Sequence, residues 1–264
     1  MQLSSEKMIA EVDGHIGWLT FNNPQKRNAI SHEMRAACLE ALDAFEKDEN
    51  VRVVILKGAG EHAFISGADI NQFEKGERGE EQRRLQEETS EKLRLRYDDF
   101  SKPIVAMIHG FCLGGGLLTA MATDIRIASD DAVFGIPAAR LGVAYPMYGT
   151  KKLIDLVGPA KAKEILFTAN RLDAAEAHRI GLLNQVVPRS ELESTVRKLA
   201  ATLCDNAPLS IRAAKLMIDE IMKDESNRNK AACDAVLAAC MKSDDFVEGR
   251  RAFAEKRRPA FKGK

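Results

Sequence analysis

Short apolar runs alternate with longer amphipathic stretches along most of the chain. The runs span only a few residues and are bounded by polar or glycine-containing turns, which is typical of β-strands. They lie at Met8–Val12, His15–Asn22, Asn50–Lys57, Ile104–Ile108, Ile125–Ser129, Ala132–Phe134 and Leu183–Val187. The first two flank Asp13-Gly14, a two-residue signal for a β-hairpin.

The amphipathic stretches predict helices. Apolar residues recur at helical spacing, and so share one buried face, at Ile30, Met34, Cys38, Leu42 and Phe45. The segment Phe73–Phe100 is dense in Glu, Arg and Gln, which predicts a solvated helix preceded by a mobile loop. Further helices are predicted at Leu117–Asp124, Gly149–Gly158, Ala160–Thr168 and Ala174–Arg179.

The order of these elements predicts an α/β fold built from ββα units in series, rather than a doubly wound sheet. Three consecutive glycines, Gly114 to Gly116, lack the G-x-G-x-x-G spacing of a dinucleotide site. From Ser190 onward the pattern predicts helices only, with breaks near residues 206–208 and 224–226. We therefore expect a ββα core over residues 1–189 and a helical region over residues 190–264.

The triple glycine is the first candidate for chemistry. It follows the apolar run Ile104–Ile108 and precedes the helix-forming stretch that begins at Leu117. This order is typical of a strand, a tight turn and a helix N-terminus, where the first N–H groups have no intrahelical acceptor. Backbone N–H groups in such a turn can stabilise an oxyanion. A tight connection packed against a neighbouring element explains the same glycines equally well.

A second stretch, Ala63–Asn71 (AFISGADIN), has a similar order of an apolar run followed by small residues. Together the two stretches resemble motifs of the enoyl-CoA hydratase/isomerase family, also called the crotonase family, and the resemblance covers nearly the whole chain. It implies a crotonase-like spiral of ββα units with a helical C-terminal region that forms trimers. It also implies that the N–H groups of Ala68 and Gly115 bind the thioester oxygen of an acyl-CoA, while Asp69 caps or braces the turn.

The same resemblance implies contacts with the rest of the acyl-CoA. Phe253 and Lys256, in the sequence RAFAEKR, match residues that approach the nucleotide end of CoA, commonly from an adjacent subunit. By charge alone, residues 256–258 are a basic helix end. Coenzyme A arrives as part of the substrate, so no separate cofactor and no metal is expected. The residues expected to contact the substrate are Arg27, Ser66, Gly67, Ala68, Asp69, Ile70, Gly114, Leu118, Ala138, Phe253 and Lys256.

Both glutamates that catalyse hydration in the family are missing. Leu118 and Ala138 occupy the matching positions, and an alkyl side chain cannot exchange a proton. Tyr145 lies in LGVAY, a pattern that resembles the methylmalonyl-CoA decarboxylase branch, where a tyrosine lines the site. Tyr145 is therefore a catalytic candidate together with Ala68 and Gly115. A tyrosine that packs the loop and bonds a backbone group fits the pattern as well.

Four further side chains have two interpretations each. Arg140 can bind an acidic acyl group bidentately, but an ion pair at the surface is favoured. His109 follows a strand, where a single histidine is more often structural than catalytic. Glu74 and Tyr97, in the charged helical segment, can face the substrate, but a position at the surface or behind the site is favoured for both.

Composition excludes several classes of partner. Basic and acidic residues number 39 each, so the zero net charge gives no general attraction to nucleic acid or acidic membranes. No apolar run approaches the ~20 residues of a membrane span. The five cysteines show no C-x-x-C pair, which predicts reduced thiols. The N-terminus lacks the apolar core of a signal peptide, so we expect a cytoplasmic protein.

The sequence thus predicts an acyl-CoA thioester lyase of the enoyl-CoA hydratase/isomerase type, acting in fatty acid metabolism as a homotrimer or a dimer of trimers. The first alternative is a decarboxylase of malonyl-type thioesters, because loss of CO₂ creates the enolate without a general base. The second alternative is a CoA-thioester-binding homologue without catalytic activity, which the absence of both glutamates keeps open.

Overall fold

A computed structural model describes residues 1–69 and 80–264 of the chain, apart from the side chains of residues 82 and 83. The strands are β1 Met8–Asp13, β2 Ile16–Phe21, β3 Val53–Gly58, β4 Ala63–Ile65, β5 Ile104–Ile108, β6 Phe111–Leu113, β7 Ile125–Ser129, β8 Val133–Gly135, β9 Leu172–Asp173 and β10 Gln185–Val187. The helices are α1 His32–Lys47, α2 Glu80–Asp99, α3 Gly115–Met121, α4 Ala138–Leu141, α5 Met147–Thr168, α6 Ala174–Arg179, α7 Leu192–Asp205, α8 Pro208–Ile221, α9 Lys230–Lys242 and α10 Asp244–Ala254. Short 3₁₀ turns lie at Pro24–Lys26, Arg189–Glu191 and Glu225–Asn227.

The described strands form two sheets. The larger has the order β1-β2-β3-β5-β7-β10, in which β1 and β2 form the predicted hairpin and all other neighbours are parallel. The smaller has the order β4-β6-β8-β9 and is parallel except between β8 and β9.

From β3 to β8, successive strands along the chain alternate between these sheets. In the pairs β3–β4, β5–β6 and β7–β8, the first strand lies in the larger sheet and the second in the smaller, and a helix follows each pair. The chain therefore winds as a spiral of ββα units, which confirms the predicted fold class. Because β4, β6 and β8 are parallel neighbours, the segments that follow them lie side by side, and the site is built from these segments.

The larger sheet is buried on both faces, as its continuous apolar strands require. In β3, Val54 and Leu56 belong to the main core together with α1. Val53 and Ile55 face the opposite side of the same sheet. Helix α7 covers that side with apolar residues at helical spacing, Leu192, Val196, Ala200 and Cys204. The helical C-terminal region thus begins by packing on its own chain.

Helices α8 and α9 pack against each other and expose apolar side chains. The side chains that are at least half exposed there are Ile218, Ile221, Met222, Leu237 and Met241. Within residues 1–69 and 80–264 nothing covers this surface, which suits a second protein surface better than water.

Two helix boundaries show how local chemistry adjusts the periodic pattern. Helix α1 begins after Ser31, because the Ser31 hydroxyl accepts a hydrogen bond from the Met34 N–H at 3.3 Å. Ile30, which the periodicity placed on the helix, instead forms a parallel β-bridge with Ala68. Helix α5 is interrupted at Gly158, where φ is 76° and the two predicted helices meet.

The N-terminal part of the predicted segment Phe73–Phe100 falls outside the described residues, and the remainder forms α2. None of the helices in the described ranges combines the length and the apolar content needed to cross a bilayer.

Candidate active site

The end of β4 meets the start of α3 at very short range. A Cβ built on Gly116 would lie 2.1 Å from the carbonyl oxygen of Ile65, so only glycine permits this approach. A Cβ built on Gly115 would lie 3.6 Å from the backbone nitrogen of Ala68. The triple glycine is therefore a tight connection, as one interpretation of the sequence holds, and it also brings the two predicted donors side by side.

The N–H groups of Ala68 and Gly115 are both without an acceptor among the described residues. Around Ala68, the Ile30 N–H donates to the Gly67 carbonyl at 2.8 Å, and the Asp69 N–H donates to the Ile30 carbonyl at 3.0 Å. The Gly67 carbonyl and the Ala68 N–H belong to the same trans peptide group and point in opposite directions. Because the carbonyl is bonded to Ile30, the Ala68 N–H points away from Ile30. Two neighbouring N–H groups are thus available to an oxygen atom of a ligand.

Gly114 sets the orientation of the second donor. Its φ of 51° and ψ of −111° are open to glycine but strained for other residues, and its own N–H donates to the Gly135 carbonyl at 2.8 Å. Its carbonyl oxygen accepts hydrogen bonds from the Leu118 N–H at 3.0 Å and from the Tyr145 hydroxyl at 3.5 Å. That carbonyl and the Gly115 N–H belong to the same planar peptide group. Tyr145 therefore contacts this peptide group at its carbonyl end, opposite the Gly115 N–H.

Tyr145 is half-buried against Leu118 and does not line the cavity described below. Burial raises the pKa of its phenol, so the hydroxyl stays protonated and can donate near neutral pH. This position agrees with a tyrosine that packs the loop and bonds a backbone group. Its predicted catalytic role remains a prediction.

A cavity of about 740 Å³ has Ala68 and Gly115 in its wall. This volume lies within the range of small-molecule sites. The cavity runs between α1, α2 and α3, and its apolar wall is formed by Phe21, Ile30, Met34, Cys38, Leu118 and Ala122. Leu118, which the sequence analysis matched to one catalytic glutamate position, is thus in the cavity wall. Ala138, which it matched to the other position, is buried and does not line the cavity.

Helix α2 contributes the polar wall, which the sequence did not reveal. Arg94 forms ion pairs with Glu91 and, at 3.1 Å, with Asp98, and its guanidinium lies 5.1 Å from the centre of the Tyr148 ring. The hydrogen bond from Arg94 lowers the pKa of the Glu91 carboxyl and keeps it ionised. The sequence does contain a pattern that indicates this wall. Within the charged segment, four residues that carry no charge recur at helical spacing, namely Gln86, Ser90, Leu93 and Tyr97.

Two other ionisable groups of the wall are held in their neutral forms. Cys38 and Tyr97 are buried and hydrogen-bonded to each other at 3.3 Å. Burial raises the pKa of the Cys38 thiol to about 12 and raises that of Tyr97 well above its usual value. Neither side chain is available as a general base near neutral pH. Tyr97 nevertheless faces the cavity, which was the less favoured of its two interpretations.

A single arginine on α1, Arg35, differs from the ion-paired groups of the wall, Asp69, Glu91 and Arg94. Arg35 lines the cavity and is half-buried, yet its guanidinium has no hydrogen bond or ion pair with any described residue. Burial lowers the pKa of this guanidinium. Periodicity did not single it out, because it lies beside the apolar stripe of α1 rather than within it.

Of the remaining predicted substrate contacts in this part of the chain, Asp69 lines the cavity, whereas Arg27 and Ser66 do not. Asp69 lines the cavity and pairs with Lys26 at 3.0 Å, which agrees with its expected bracing role. Arg27 is exposed and stacks over Phe111 at 5.3 Å. Ser66, whose N–H donates to the Arg27 carbonyl at 3.0 Å, leads into the Gly67–Ala68 turn.

The two C-terminal candidates are not brought to the cavity within this chain. Phe253 is 87% exposed, and Lys256 is also at the surface. Ile70 and Glu74 lie outside the described residues. Arg140 is exposed and donates to the Asn170 side chain at 2.9 Å, so it forms a surface contact and does not line the cavity.

The chain matches the family model described as enoyl-CoA hydratase/isomerase over residues 11–264. Among curated relatives, a short-chain-enoyl-CoA hydratase of Clostridium acetobutylicum is 36% identical and aligns over 95% of each chain. A crotonyl-CoA hydratase of Syntrophomonas wolfei is 34% identical over 98% of this chain and 99% of the relative.

The solved structures agree with this assignment. An enoyl-CoA hydratase/carnithine racemase from Magnetospirillum magneticum superimposes with a TM-score of 0.92 at 30% identity, covering 99% of this chain and 97% of the other. An enoyl-CoA hydratase from Bacillus anthracis superimposes with a TM-score of 0.90 at 31% identity, covering 98% and 100%.

Proposed function

This chain belongs to the enoyl-CoA hydratase/isomerase family, and we propose that it is an acyl-CoA thioester lyase. The N–H groups of Ala68 and Gly115 bind the thioester oxygen and stabilise the enolate oxyanion that develops as charge forms at the α-carbon. The observation that carries this proposal is the pair of adjacent N–H groups without acceptors in the described chain, set in the wall of a cavity of about 740 Å³.

Hydration of an enoyl thioester also needs a group that activates water and a group that protonates the α-carbon. Leu118 supplies neither, and Cys38 and Tyr97 are held protonated by burial. Asp69 is the carboxylate next to Ala68, and its ion pair with Lys26 favours a bracing role. Family membership supports hydration or isomerisation as the broad reaction class, with the proton-transfer residue unassigned.

The apolar wall at Leu118 favours a second candidate function, decarboxylation of a malonyl-type thioester. Departing CO₂ leaves its electron pair on the α-carbon, so the enolate forms without a base. The Ala68 and Gly115 N–H groups stabilise that enolate in the same way. A glutamate at position 118 would repel the carboxylate of such a substrate, whereas leucine does not.

A side-by-side assay with crotonyl-CoA and methylmalonyl-CoA separates these functions, with wild type compared to Tyr145→Phe. Rapid hydration of crotonyl-CoA, insensitive to the Tyr145 change and without CO₂ release, supports the hydratase and contradicts the decarboxylase. CO₂ release from methylmalonyl-CoA that falls in Tyr145→Phe supports the decarboxylase. Binding of both thioesters without turnover points to the inactive homologue and contradicts both enzymes.

The proposed assembly is a homotrimer or a dimer of trimers, which the exposed apolar side chains of α8 and α9 support. In such an assembly Phe253 and Lys256 of one subunit approach the nucleotide end of CoA bound by another. The proposed partner is the acyl-CoA alone, without a separate cofactor, and a cytoplasmic location remains a prediction.

A further inference from the structure

Arg35 is a positive charge that lines the cavity and has no partner among the described residues. It lies in the first turn of α1, next to Met34, and both residues line the cavity. No carboxylate, carbonyl or hydroxyl oxygen of residues 1–69 and 80–264 bonds its guanidinium. Arg94 on the opposite wall differs, because Glu91 and Asp98 both neutralise it.

Removing a guanidinium from water without supplying acceptors is unfavourable, and proteins normally pair such groups. An arginine remains charged near neutral pH even where burial lowers its pKa, because its usual value exceeds about 12. Arg35 therefore keeps five N–H donors at the cavity, in the fork geometry that fits a carboxylate bidentately. The missing acceptor is then an anionic group of the ligand.

We propose that Arg35 binds a carboxylate on the acyl portion of the substrate, so that this enzyme prefers acyl-CoA thioesters with a second acid group. The inference rests on the proposed function, since it takes the acyl chain to occupy the cavity. Bidentate pairing makes Arg35 the residue that distinguishes an acidic acyl chain from a neutral one of the same length.

Arg35 and the two N–H groups lie in the wall of the same cavity. Ile30, which bridges Ala68 in the backbone, immediately precedes the Ser31 cap of α1. Arg35 follows that cap by about 6 Å of helix rise. Ala68 is therefore joined through this β-bridge to the segment that leads into α1 and Arg35.

The charges on the facing helix also bear on this recognition. Arg94 is the cation that lines the cavity from α2, and it is already paired with Glu91 and Asp98, while Glu87 adds a negative charge to that wall. Among the described residues that line the cavity, Arg35 is therefore the cation left for an anionic ligand. Arg140, the residue that the sequence offered for an acidic acyl group, is exposed and bonded to Asn170.

Calorimetric titration with matched thioesters tests the proposal. The pairs are malonyl- with propionyl-CoA, succinyl- with butyryl-CoA, and glutaryl- with pentanoyl-CoA, each an acid and its neutral counterpart of equal chain length. We expect wild type to bind at least one acid about 10- to 100-fold more tightly than its counterpart, as charged hydrogen bonds allow. Arg35→Leu should lose this preference while the affinity for the neutral member is kept.

Two further variants control the experiment. Arg84→Leu removes the same charge from an exposed position on α2, where the side chain is 80% exposed, and should keep the wild-type preference. Arg35→Lys keeps the charge without the fork and should keep only part of the preference, which also covers a folding failure of Arg35→Leu. Circular dichroism verifies each fold.

The outcomes distinguish this inference from the function on which it rests. If the neutral thioesters bind but no acid is preferred, or if Arg35→Leu keeps the preference, Arg35 does not select a carboxylate and the acyl-CoA site stands. If wild type binds none of the six thioesters, the acyl-CoA function fails and this inference fails with it.

Discussion

The peptide group between Gly114 and Gly115 is the smallest unit on which the site depends. Its carbonyl accepts from Leu118 and Tyr145, and its N–H has no acceptor in the described chain. Hydrogen bonds accepted at the carbonyl polarise the whole amide, so both contacts strengthen the N–H as a donor. If Gly115 is a donor as proposed, Tyr145 contributes to the site through this 3.5 Å contact without lining the cavity.

Replacing Gly115 by proline should remove one donor and little else from the site. We expect Gly115→Pro to lower kcat about 10²- to 10³-fold, the usual effect of losing one oxyanion donor. Steady-state kinetics with the thioester that wild type turns over measures the loss, and circular dichroism verifies the fold.

The matched control is Gly115→Ala, which keeps the N–H. Its Cβ would lie 3.6 Å from the Ala68 nitrogen, an ordinary van der Waals distance. Its kcat should therefore exceed that of Gly115→Pro by at least about tenfold. Equal kcat values in folded Gly115→Pro and wild type would show that Gly115 is not a donor.

Single residues also mark the limit of what the pattern of the sequence could predict. Ala68 and Gly115 were named through the resemblance of their two stretches to the family motifs, since the glycine pattern alone was explained equally well by a tight connection. Arg35 was not, because a charge beside an apolar helical stripe normally faces water, and only the packing of α2 over α1 turns it toward a cavity. The polar residues of α2 that line the cavity were also difficult to identify, because the sequence of this helix is otherwise typical of a solvated helix.

Among the elements, the junction of β5 and β6 holds the two sheets together through His109. The His109 carbonyl accepts from the Phe64 N–H at 2.7 Å, and its ring is 7% exposed with a buried Nε2 that has no partner in the described chain. Burial, assisted by the positive charge of Arg189, lowers the pKa of the imidazole, while a hydrogen bond with the Gly60 backbone and the charges of Asp131 and Glu61 oppose this. The folded state therefore disfavours the protonated ring.

This gives a pH dependence of stability with a definite sign. Because the folded pKa lies below the unfolded value of about 6.5, the folded state binds fewer protons, and stability falls as pH drops below about 6.5. In urea unfolding at pH 7.5 and 5.0, we expect His109→Gln to lose less stability than wild type. The difference is about 1.4 kcal/mol for each unit by which the pKa is lowered.

The exposed His62 provides the comparison for this measurement. His62→Gln should follow the wild-type dependence on pH. A His109→Gln curve parallel to wild type would contradict the buried-imidazole explanation.

The ββα spiral was predictable as a succession of elements, because each strand is a short apolar run and each helix has its own periodicity. The distribution of the strands between two sheets could not be predicted from the order of the elements. It depends on contacts between distant segments, such as the approach of Gly116 to Ile65. The cavity arises from this arrangement, so its walls could be assigned only after the chain was folded.

For the assembled protein, the apolar surface of α8 and α9 predicts oligomers. We expect light scattering after size exclusion to give three or six times the 29.1 kDa chain mass. The double variant Ile218→Glu/Met241→Glu should lower this mass, because both side chains are 62% exposed in the single chain and carboxylates would be buried at the interface.

Lys230→Glu serves as the charge control, since the Lys230 side chain is 75% exposed and close in sequence to the same surface. It should leave the oligomer intact. A wild-type monomer at micromolar concentration would contradict the predicted assembly.

The two proposed oxyanion donors are main-chain atoms, and this affects how such a protein can evolve. Almost any codon change at Ala68 or Gly115 preserves the N–H, since only proline lacks one. Selection on the donors therefore acts mainly through backbone geometry, most strictly at Gly116, where no Cβ fits. Side chains around the cavity, Leu118 and Arg35 among them, can be exchanged while both N–H groups are kept. If these groups stabilise an enolate as proposed, a lineage can change its acid and base residues and still keep the centre on which new substrates react.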